Sequence, residues 1–399
     1  MSAAAYDVVV AGGGIVGAAC ASACAREGMR VALVERDVLG SGATAAGMGH
    51  VVVMDDSDAQ FALTRYSQQL WQQLASQLPA SAEYEQRGTL WIAADREEME
   101  AAERKCAWYS ARGVPCRLLT AEELSREEPN LAAGLEGALL VIEDGVVYPP
   151  AVALALACRA QQLGATLLIG RTIKQLGEGH VVLEDGSELR ADRIVLAMGA
   201  DSLHLHSGLP IRKRKGHLVI TDRYPGFVRH QLVELGYLKS AHSTTADSVA
   251  FNLQPRQTGQ LLIGSSRQFG AENAAVDQPI LASMLARAER YLPGIASLSA
   301  IRVWTGFRAA TPDKLPLIGP DGNDPSLLLA TGHEGLGITT SLGTAELIAN
   351  MLTGGASAIP REPYLPARFP QSDSKPNNNE KNEDKHELDW SHAGVDDGV

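Results

Sequence analysis

The chain opens with two short apolar runs separated by a stretch of small residues. Residues 6–10 and 31–34 are rich in valine, which predicts two buried strands, and the small residues between them predict a closely packed helix. Gly12, Gly14 and Gly17 stand where the first strand meets that helix. Strand, glycine-rich turn, helix and strand in this order predict the first unit of a parallel α/β sheet.

Each part of this unit has a function when a dinucleotide binds to it. Gly12 allows the tight turn, Gly14 lets the backbone approach a pyrophosphate, and Gly17 lets the helix pack closely on the strand. The helix N-terminus offers N–H groups and a positive dipole end to phosphates. Glu35, at the end of the second strand, can accept hydrogen bonds from ribose hydroxyls. This motif alone fits NAD as well as FAD.

Further helices and strands follow from the rest of the pattern. Helical periodicity and helix-start signals predict helices over residues 60–78, 95–113, 279–292 and 343–352, and others that begin at residues 120 and 149. Apolar or alternating runs predict strands over residues 88–93, 138–142, 166–169, 172–176, 181–183, 188–191, 193–197, 216–221, 248–252, 260–264, 299–308 and 327–330. The four runs between residues 166 and 191 are expected to form a small β-meander.

Composition and charge narrow the class of protein. The length of 399 residues predicts two domains, or one large α/β domain with an inserted lobe, and a net charge of −12 argues against nucleic acid as a partner. No run of 18 apolar residues is present, and the first strand begins too early for a signal peptide. Five cysteines without a C-x-x-C pair fit a reducing compartment. A cytoplasmic location is expected, with peripheral attachment to the inner membrane as the alternative.

Four segments together resemble the D-amino-acid oxidase family of FAD-dependent oxidoreductases. They are the opening unit, SGATAAGMG at 41–49, IVLAMGADS at 194–202, and the segment from TGFRAATPDKLPLIG to GHEGLGITTSLGTAELI at 305–348. The resemblance covers about residues 5–355 and is nearest to glycine oxidase, D-amino-acid dehydrogenases and D-hydroxyproline dehydrogenase. The last segment is the most specific, because ordinary NAD dehydrogenases lack a C-terminal strand, turn and helix that return to the cofactor.

The resemblance implies an α/β fold with two parts. One is a Rossmann-like FAD-binding domain of the glutathione-reductase type, and the other is an inserted α+β substrate domain built on an antiparallel sheet. The FAD-binding domain is expected over residues 1–85, 150–210 and 300–368, and the substrate domain over 86–149 and 211–299. Residues 371–399 are polar and acidic and are expected to be a disordered tail.

The resemblance also assigns the cofactor residues. FAD is expected to bind non-covalently, because the cysteine that carries the flavin in sarcosine oxidases would fall near residues 308–311, where this chain reads Arg-Ala-Ala-Thr. No metal site is predicted. The residues implied for FAD are Gly12, Gly14, Ile15, Val16, Gly17, Glu35, Arg36, Ser41, Thr44, Ala45, Gly47, Met48, Gly49, Ile173, Gly199, Gly335, Leu336, Gly337 and Ile338.

Arg308 is the residue that the resemblance places on the substrate carboxylate. A guanidinium suits that planar anion because it donates two parallel hydrogen bonds; the alternative is a surface arginine at a strand end. Asn252, Tyr237 and His333 are the other expected substrate residues. No general base is implied, since the flavin takes the α-hydrogen as hydride from the neutral amine. Further polar candidates near the matched segments are His50, Tyr148 and His242.

The expected reaction is oxidation of a small D-amino acid or cyclic imino acid to its imine. The favoured substrate is 4-hydroxy-D-proline, because Asn252 stands where relatives have a tyrosine, and because Met48, Phe251 and Trp304 are expected to give the pocket an apolar edge. The alternatives are D-proline, a glycine, sarcosine or D-alanine oxidase, a non-catalytic FAD-binding module, and a flavin subunit of a hetero-oligomeric amino-acid or opine dehydrogenase with iron–sulfur partners. A homo-oligomer and three electron acceptors (oxygen, a quinone or a partner protein) also stay open.

Overall fold

The computed structural model describes residues 5–236 and 247–369. Its strands are β1 (Ala5–Ala11), β2 (Val31–Glu35), β3 (His50–Val51), β4 (Thr89–Ala93), β5 (Cys116–Thr120), β6 (Gly137–Val141), β7 (Gly145–Val146), β8 (Thr166–Ile169), β9 (Ile173–Gly177), β10 (His180–Leu183), β11 (Glu188–Leu196), β12 (Arg212–Thr221), β13 (Gln231–Glu234), β14 (Ser248–Pro255), β15 (Leu261–Phe269), β16 (Ala300–Ala310), β17 (Leu317–Pro320) and β18 (Leu327–Thr331). Its α-helices are α1 (Ile15–Arg26), α2 (Gly42–Ala46), α3 (Asp58–Leu74), α4 (Arg96–Ala111), α5 (Ala121–Glu127), α6 (Pro149–Gln162), α7 (Ser202–Leu205), α8 (Gln278–Tyr291) and α9 (Gly337–Thr353).

The first large sheet is mainly parallel and carries helices on one face. Its strand order is β17-β18-β11-β1-β2-β8, and the β9–β10 hairpin attaches to β11. The pairs β18–β11, β11–β1, β1–β2 and β2–β8 are parallel, while β17 runs antiparallel to β18. Helix α1 packs between α6 and α9, and its small side chains are almost all buried, which allows this close packing. The opening unit of the sequence therefore forms the centre of the sheet, as predicted.

The predicted meander is wrong at its first strand, and its last strand continues into the next predicted one. β8 pairs in parallel with β2, with Thr166 opposite Ala32, because α6 supplies the crossover that a parallel strand needs. The runs 188–191 and 193–197 form the single strand β11, which pairs with β10 at its start and with β1 along its length. Only the pairing of β9, β10 and the start of β11 has the predicted antiparallel form.

The second large sheet is antiparallel except for one pair of strands. Its order is β16-β12-β15-β14-β13-β4-β6-β5, and only β13 and β4 pair in parallel. Helix α8 packs against β14 and β15 and closes an apolar core on that face. Strand β16 pairs with β12 along its whole length, so residues 300–310 belong to this sheet, although they were expected in the FAD-binding domain. The α/β fold class with an antiparallel second sheet is confirmed, and the domain boundaries stay a prediction.

Helix ends follow local side-chain chemistry. Asp95 caps α4 by accepting from the Glu98 N–H, and Thr120 with Glu123 forms a capping box at α5, the helix predicted to begin at residue 120. Helix α9 begins at Gly337, six residues before its predicted start at residue 343. Its first turns carry hydroxyl side chains that bond to backbone carbonyls within the helix, which breaks the apolar periodicity there. Within residues 5–236 and 247–369, no helix combines the length and apolarity that spanning a bilayer would require.

Candidate active site

One large cavity lies between the two sheets. It has a volume of about 530 Å³ and is bounded by the carboxyl ends of β1, β2, β11 and β18 on one side and by a face of the second sheet on the other. Ligands of open α/β sheets bind at the carboxyl ends of the parallel strands. The cavity is therefore where the fold is expected to hold both cofactor and substrate.

The glycine-rich turn forms one wall of the cavity with its backbone, because its glycines have no side chains. Gly12 has φ of +106°, and a Cβ placed there would lie 2.7 Å from the carbonyl oxygen of Ala197. A Cβ at Gly17 would lie 1.9 Å from the Gly12 oxygen, so Gly17 serves the packing of α1 on β1 and does not line the cavity. Gly14 is the N-cap of α1; no side chain caps it, and the first turn contains no acidic residue. The Ile15 N–H already donates to the Thr44 hydroxyl, so the N–H groups of the first turn after Ile15 are the ones available to an anion.

Glu35 is buried at the carboxyl end of β2, where it lines the cavity. One carboxylate oxygen accepts from the Gly13 N–H at 2.6 Å and the other from the Asp37 N–H at 2.8 Å. Each oxygen keeps a lone pair, so the carboxylate can still accept a hydrogen bond from a ribose hydroxyl. Arg36 also lines the cavity and forms an ion pair with Asp201 at 2.8 Å.

The loop at residues 41–49 is held against the glycine-rich turn. Thr44 accepts from the Ile15 N–H at 3.0 Å through its hydroxyl oxygen, which fixes α2 against the start of α1. Ala45 and Gly49 of this loop do not line the cavity. A Cβ at Gly49 would lie 1.7 Å from the Val147 oxygen, so this glycine is required by packing.

The Arg308 guanidinium is fixed by its neighbours on the second sheet. Arg308 lies on β16, and its Nη1 donates to the carbonyl oxygen of Ser266 at 2.9 Å. The guanidinium covers Gly216 of β12: a Cβ there would lie 2.8 Å from both terminal nitrogens. Ser266 is held in turn, because its hydroxyl oxygen accepts from the His217 N–H at 2.9 Å. Arg308 therefore lines the cavity in one defined orientation.

An ion pair beside Arg308 was not foreseen from the sequence. Arg214, directly opposite Arg308 in the β12–β16 pair, binds Glu334 and lies over the Phe269 ring at 4.3 Å. Glu334 has φ of +43° and lines the cavity from the turn before α9. A carboxylate inside the glycine-rich segment GHEGLG was the only sequence signal that could have indicated it.

Polar side chains of the second sheet face the cavity beyond Arg308. Asn252 is 8% exposed and Gln231 is 2% exposed, and both line the cavity. Neither Asn252 Oδ1 nor Gln231 Oε1 has a hydrogen-bond partner among the residues that the structure describes. Ser265 and Arg267 of β15 lie on the same wall. Of this group, the sequence had indicated only Asn252.

Three described histidines, His50, His204 and His333, line the cavity, and two of them, His50 and His333, are neutral at pH 7. Burial lowers the pKa of His333 to about 4, and its Nε2 lies 2.9 Å from the Thr344 hydroxyl of α9. Burial lowers the pKa of His50 to about 3. His333 thus joins the end of β18 to α9, and neither ring carries a charge near the substrate at neutral pH. Tyr237 and His242 lie outside the described residues.

Most of the predicted site residues meet at this cavity, but of the three side chains expected at its apolar edge only Met48 lines it. Phe251 is buried in the core, where its ring stacks on that of Tyr291 with 4.9 Å between the ring centroids. The Trp304 indole N–H donates to the Ala46 carbonyl oxygen. Neither Phe251 nor Trp304 lines the cavity, whereas Leu218 and Val233 do. The predicted residues that line it are Gly12, Gly14, Ile15, Val16, Glu35, Arg36, Ser41, Thr44, Gly47, Met48, Ile173, Gly199, Asn252, Arg308, His333, Gly335, Leu336, Gly337 and Ile338.

Comparison with known proteins decides the family. The model of the FAD dependent oxidoreductase (DAO) family matches residues 7–351. The chain belongs to this family. Glycine oxidase of Geobacillus kaustophilus is 28% identical in sequence, over 90% of this chain and 96% of its own. The crystal structure of glycine oxidase from the same organism superposes with a TM-score of 0.82 at 26% identity, and the match covers 92% of this chain and 99% of that one.

Two further relatives extend this comparison. Hydrogen cyanide synthase subunit HcnC of Pseudomonas aeruginosa is 28% identical over 91% of this chain and 96% of its own. The structure of L-proline dehydrogenase from P. horikoshii has a TM-score of 0.82 at 25% identity and covers 91% of this chain and 97% of its own. The chain therefore matches its relatives over nearly their whole length.

The residues present fit FAD, the cofactor of the family. The start of α1 offers the N–H groups that follow Ile15 to a pyrophosphate, and the Glu35 carboxylate stands at the position expected for the ribose. The start of α9, where no side chain caps Leu336 and no acidic residue lies in the first turn, also faces the cavity. These elements would hold the cofactor between the two sheets, next to Arg308.

Proposed function

We propose that the protein oxidises a small D-amino acid or cyclic imino acid to its imine, with 4-hydroxy-D-proline as the favoured substrate. The observation that carries this proposal is the fixed Arg308 guanidinium on the cavity wall of an FAD-dependent oxidoreductase. A guanidinium binds a carboxylate through two parallel hydrogen bonds. The apolar side chains Leu218 and Val233 suit a ring or a short aliphatic side chain.

The chain's own residues would orient the substrate and exclude water. When bound, FAD would supply the acceptor for the hydrogen of the α-carbon, which leaves as hydride. Arg308 fixes the carboxylate, and the cavity wall holds the rest of the substrate in the reactive orientation. The proposed hydride transfer uses the substrate in its neutral amine form. Burial lowers the pKa of His50 to about 3 and that of His333 to about 4, which makes both rings weak bases, so neither is assigned as a general base.

The relatives support an amino-acid substrate and leave the assembly open. They include a glycine oxidase and an L-proline dehydrogenase, which act on a small amino acid and on a cyclic one. HcnC is a subunit of a larger enzyme, which supports a flavin subunit of a hetero-oligomer as the second candidate function. No cluster of three or more potential metal ligands is present within residues 5–236 and 247–369, so partners would have to carry any iron–sulfur centre.

The proposal includes non-covalent FAD and a cytoplasmic location. None of the five cysteines forms a disulfide, and none of them lines the cavity. Free thiols are typical of a reducing compartment.

Anaerobic bleaching of the bound flavin tests the function without knowledge of the electron acceptor. The panel contains D- and L-proline, their 4-hydroxy isomers, D-alanine, glycine and sarcosine. Fast bleaching by 4-hydroxy-D-proline is expected. Bleaching by glycine or sarcosine, with none by any D-proline derivative, would refute the favoured substrate. An activity assay together with size-exclusion chromatography of the chain expressed alone tests whether it needs partner subunits.

A further inference from the structure

We infer that Gln231 is a specificity-determining residue that, together with Asn252, binds a hydroxyl group on the part of the substrate away from its carboxylate. This inference rests on the proposed function, because it takes Arg308 as the carboxylate site. It adds a residue that the sequence did not indicate and assigns a chemical class to the group that it binds.

The first support is burial without a partner. Gln231 is 2% exposed and Asn252 is 8% exposed, yet the carbonyl oxygens of both side chains have no hydrogen-bond partner within the described ranges 5–236 and 247–369. Buried polar groups in folded proteins are almost always hydrogen-bonded, because leaving one unpaired costs its full desolvation penalty. Both side chains line the cavity, so a ligand there can supply the missing donors.

The second support is the register of the strands. Val233 of β13 lies opposite Asn252 of β14, and on its other side it lies opposite Trp91 of β4. Directly opposed residues project to the same face of a sheet, and so do residues two apart on one strand. Gln231 and Asn252 therefore share the cavity face with Val233 and with Trp91, whose Nε1 is also buried without a partner among the described residues.

The third support is the position of this amide pair relative to Arg308. The Arg308 guanidinium reaches over β12 and donates to Ser266 of β15. In the strand order, β14 and then β13 follow β15, and neighbouring strands lie about 4.8 Å apart. Asn252 on β14 and Gln231 on β13 are thus one and two strands away from β15, which Arg308 contacts, so the amide pair lies on the side of the cavity away from the carboxylate site.

A hydroxyl fits these two amides better than a charged group does. A hydroxyl can donate its one hydrogen to the carbonyl oxygen of one amide and accept from the NH₂ group of the other. The apolar side chains beside the pair would not compensate a second charge. A second carboxylate would have to turn toward Arg267, which also lines the cavity, so a dicarboxylic imino acid is the competing ligand in the test.

The test compares Gln231→Leu with Gln268→Leu. Leucine removes the amide at a similar side-chain size. Gln268 is a matched control, because it is also buried in the second sheet with an unpartnered Oε1 but does not line the cavity. For the FAD-loaded full chain, the ratio of flavin-reduction efficiency with 4-hydroxy-D-proline to that with D-proline should fall roughly tenfold or more in Gln231→Leu and stay unchanged in Gln268→Leu.

A binding measurement accompanies the rates. Tetrahydrofuran-2-carboxylate and its 4-hydroxy derivative carry no amine and cannot form an imine, so titration calorimetry reports their affinities alone. The 4-hydroxyl should strengthen binding to the wild type and lose that effect in Gln231→Leu. If Gln231→Leu does not fold, Gln231→Asn, which keeps the amide but shortens its reach, should lower the same ratio.

The outcomes separate the two claims. If no D-proline derivative reduces the wild-type flavin, the proposed function fails and the inference fails with it. If the wild type prefers the hydroxylated ring and Gln231→Leu keeps that preference, only the inference is wrong. The inference would also be wrong if Gln268→Leu lost the preference to the same degree. It would be wrong, too, if N-carboxymethyl amino acids reduced the flavin faster than 4-hydroxy-D-proline does.

Discussion

At the scale of single residues, the position of Arg308 depends on a glycine of the neighbouring strand. The guanidinium occupies the space that a side chain at residue 216 would fill, because a Cβ there would lie 2.8 Å from both of its terminal nitrogens. Gly216 was not singled out from the sequence, because its role appears only when β12 and β16 pair. Arg308, the proposed carboxylate site, and this glycine form one unit.

Gly216→Ala should displace the guanidinium and impair substrate binding. A misplacement of about 1 Å can cost on the order of a hundredfold in rate, so flavin-reduction efficiency should fall on that scale. FAD content and thermal stability should change little, because the new methyl group meets the end of a flexible side chain. Stopped-flow flavin reduction, with FAD content as the control, measures the effect. Wild-type efficiency in this variant would show that Arg308 is free to move aside.

Arg308→Ala and Arg308→Lys test the carboxylate assignment directly. A hydrogen bond to a charged group contributes about 1.5–3 kcal/mol, and about 1.4 kcal/mol corresponds to tenfold in an equilibrium constant. Arg308→Ala should therefore lose on the order of a hundredfold in efficiency with amino acids. Arg308→Lys keeps the charge but loses the parallel pair of donors, so it should fall between the wild type and Arg308→Ala.

The control substrate for Arg308 is an amine without a carboxylate. Pyrrolidine lacks the group that Arg308 binds, so its slow reaction should be nearly the same in all three proteins. Unchanged efficiency of Arg308→Ala with amino-acid substrates would contradict the assignment.

At the scale of elements, β1, the glycine-rich turn, α1 and β2 act together as one binding unit. Glu35 at the end of β2 reaches back to the Gly13 N–H of the turn and also accepts from Asp37. Its carboxylate therefore stabilises the turn as well as facing the expected ribose position. This double use explains why so polar a side chain is buried at the end of an apolar strand.

Glu35→Ala should weaken FAD retention more than it changes turnover. The substitution removes the acceptor of the Gly13 N–H and the ribose contact, while the reacting atoms lie at the other end of the cavity. Fluorescence titration of the apoprotein with FAD should give a raised dissociation constant, and the rate at saturating FAD should stay near that of the wild type. Glu35→Gln keeps one carbonyl acceptor and should show a smaller loss. Wild-type FAD affinity in Glu35→Ala would exclude the ribose role.

Sequence patterns predict those elements whose determinants are local. The bounds of β1 and β2 agree with prediction to within a residue or so, because a valine run and its flanking glycines define them. The pairing of β8 could not be predicted in this way, since its partner β2 lies more than 130 residues away along the chain. The early start of α9 was hidden because its hydroxyl side chains bond inside the helix.

The same distinction separates the site residues. Arg308 and the glycine-rich turns belong to motifs that are readable in one stretch of sequence. Gln231 is an ordinary polar residue in a short strand, and only the pairing of β13 with β14 and β4 shows that it faces the cavity. Glu334 likewise gains its role from Arg214, more than 100 residues earlier in the chain.

At the scale of the whole molecule, the cavity between the two sheets should release its cofactor when the chain unfolds. No cysteine lines it, and residues 308–311 offer none. The purified protein should be yellow, and denaturation should free all of the FAD into the supernatant. Flavin fluorescence that migrates with the denatured chain on a gel would contradict non-covalent binding.

Stability of the folded molecule should depend on pH through Asp144. This side chain is fully buried, and burial raises its pKa to about 7, although its Oδ1 accepts from the Val53 N–H and from Gln68. Between about pH 4 and 7 the folded protein therefore holds a proton that the unfolded chain has lost. Stability contributed by this proton is complete below about pH 4 and is lost as the pH rises through 7, with a slope of at most about 1.4 kcal/mol per pH unit.

Asp144→Asn should remove this pH dependence. The amide keeps an oxygen for Val53 and Gln68 and cannot ionise. The free energy of unfolding of the variant minus that of the wild type should therefore rise from pH 5 to pH 8. Urea unfolding with excess FAD measures the difference at both pH values. Asp185→Asn is the control: hydrogen bonds from Ser187 lower the pKa of Asp185 below its ordinary value, so its effect should be constant over this range. An equally constant difference for Asp144→Asn would show that the buried carboxyl ionises without cost.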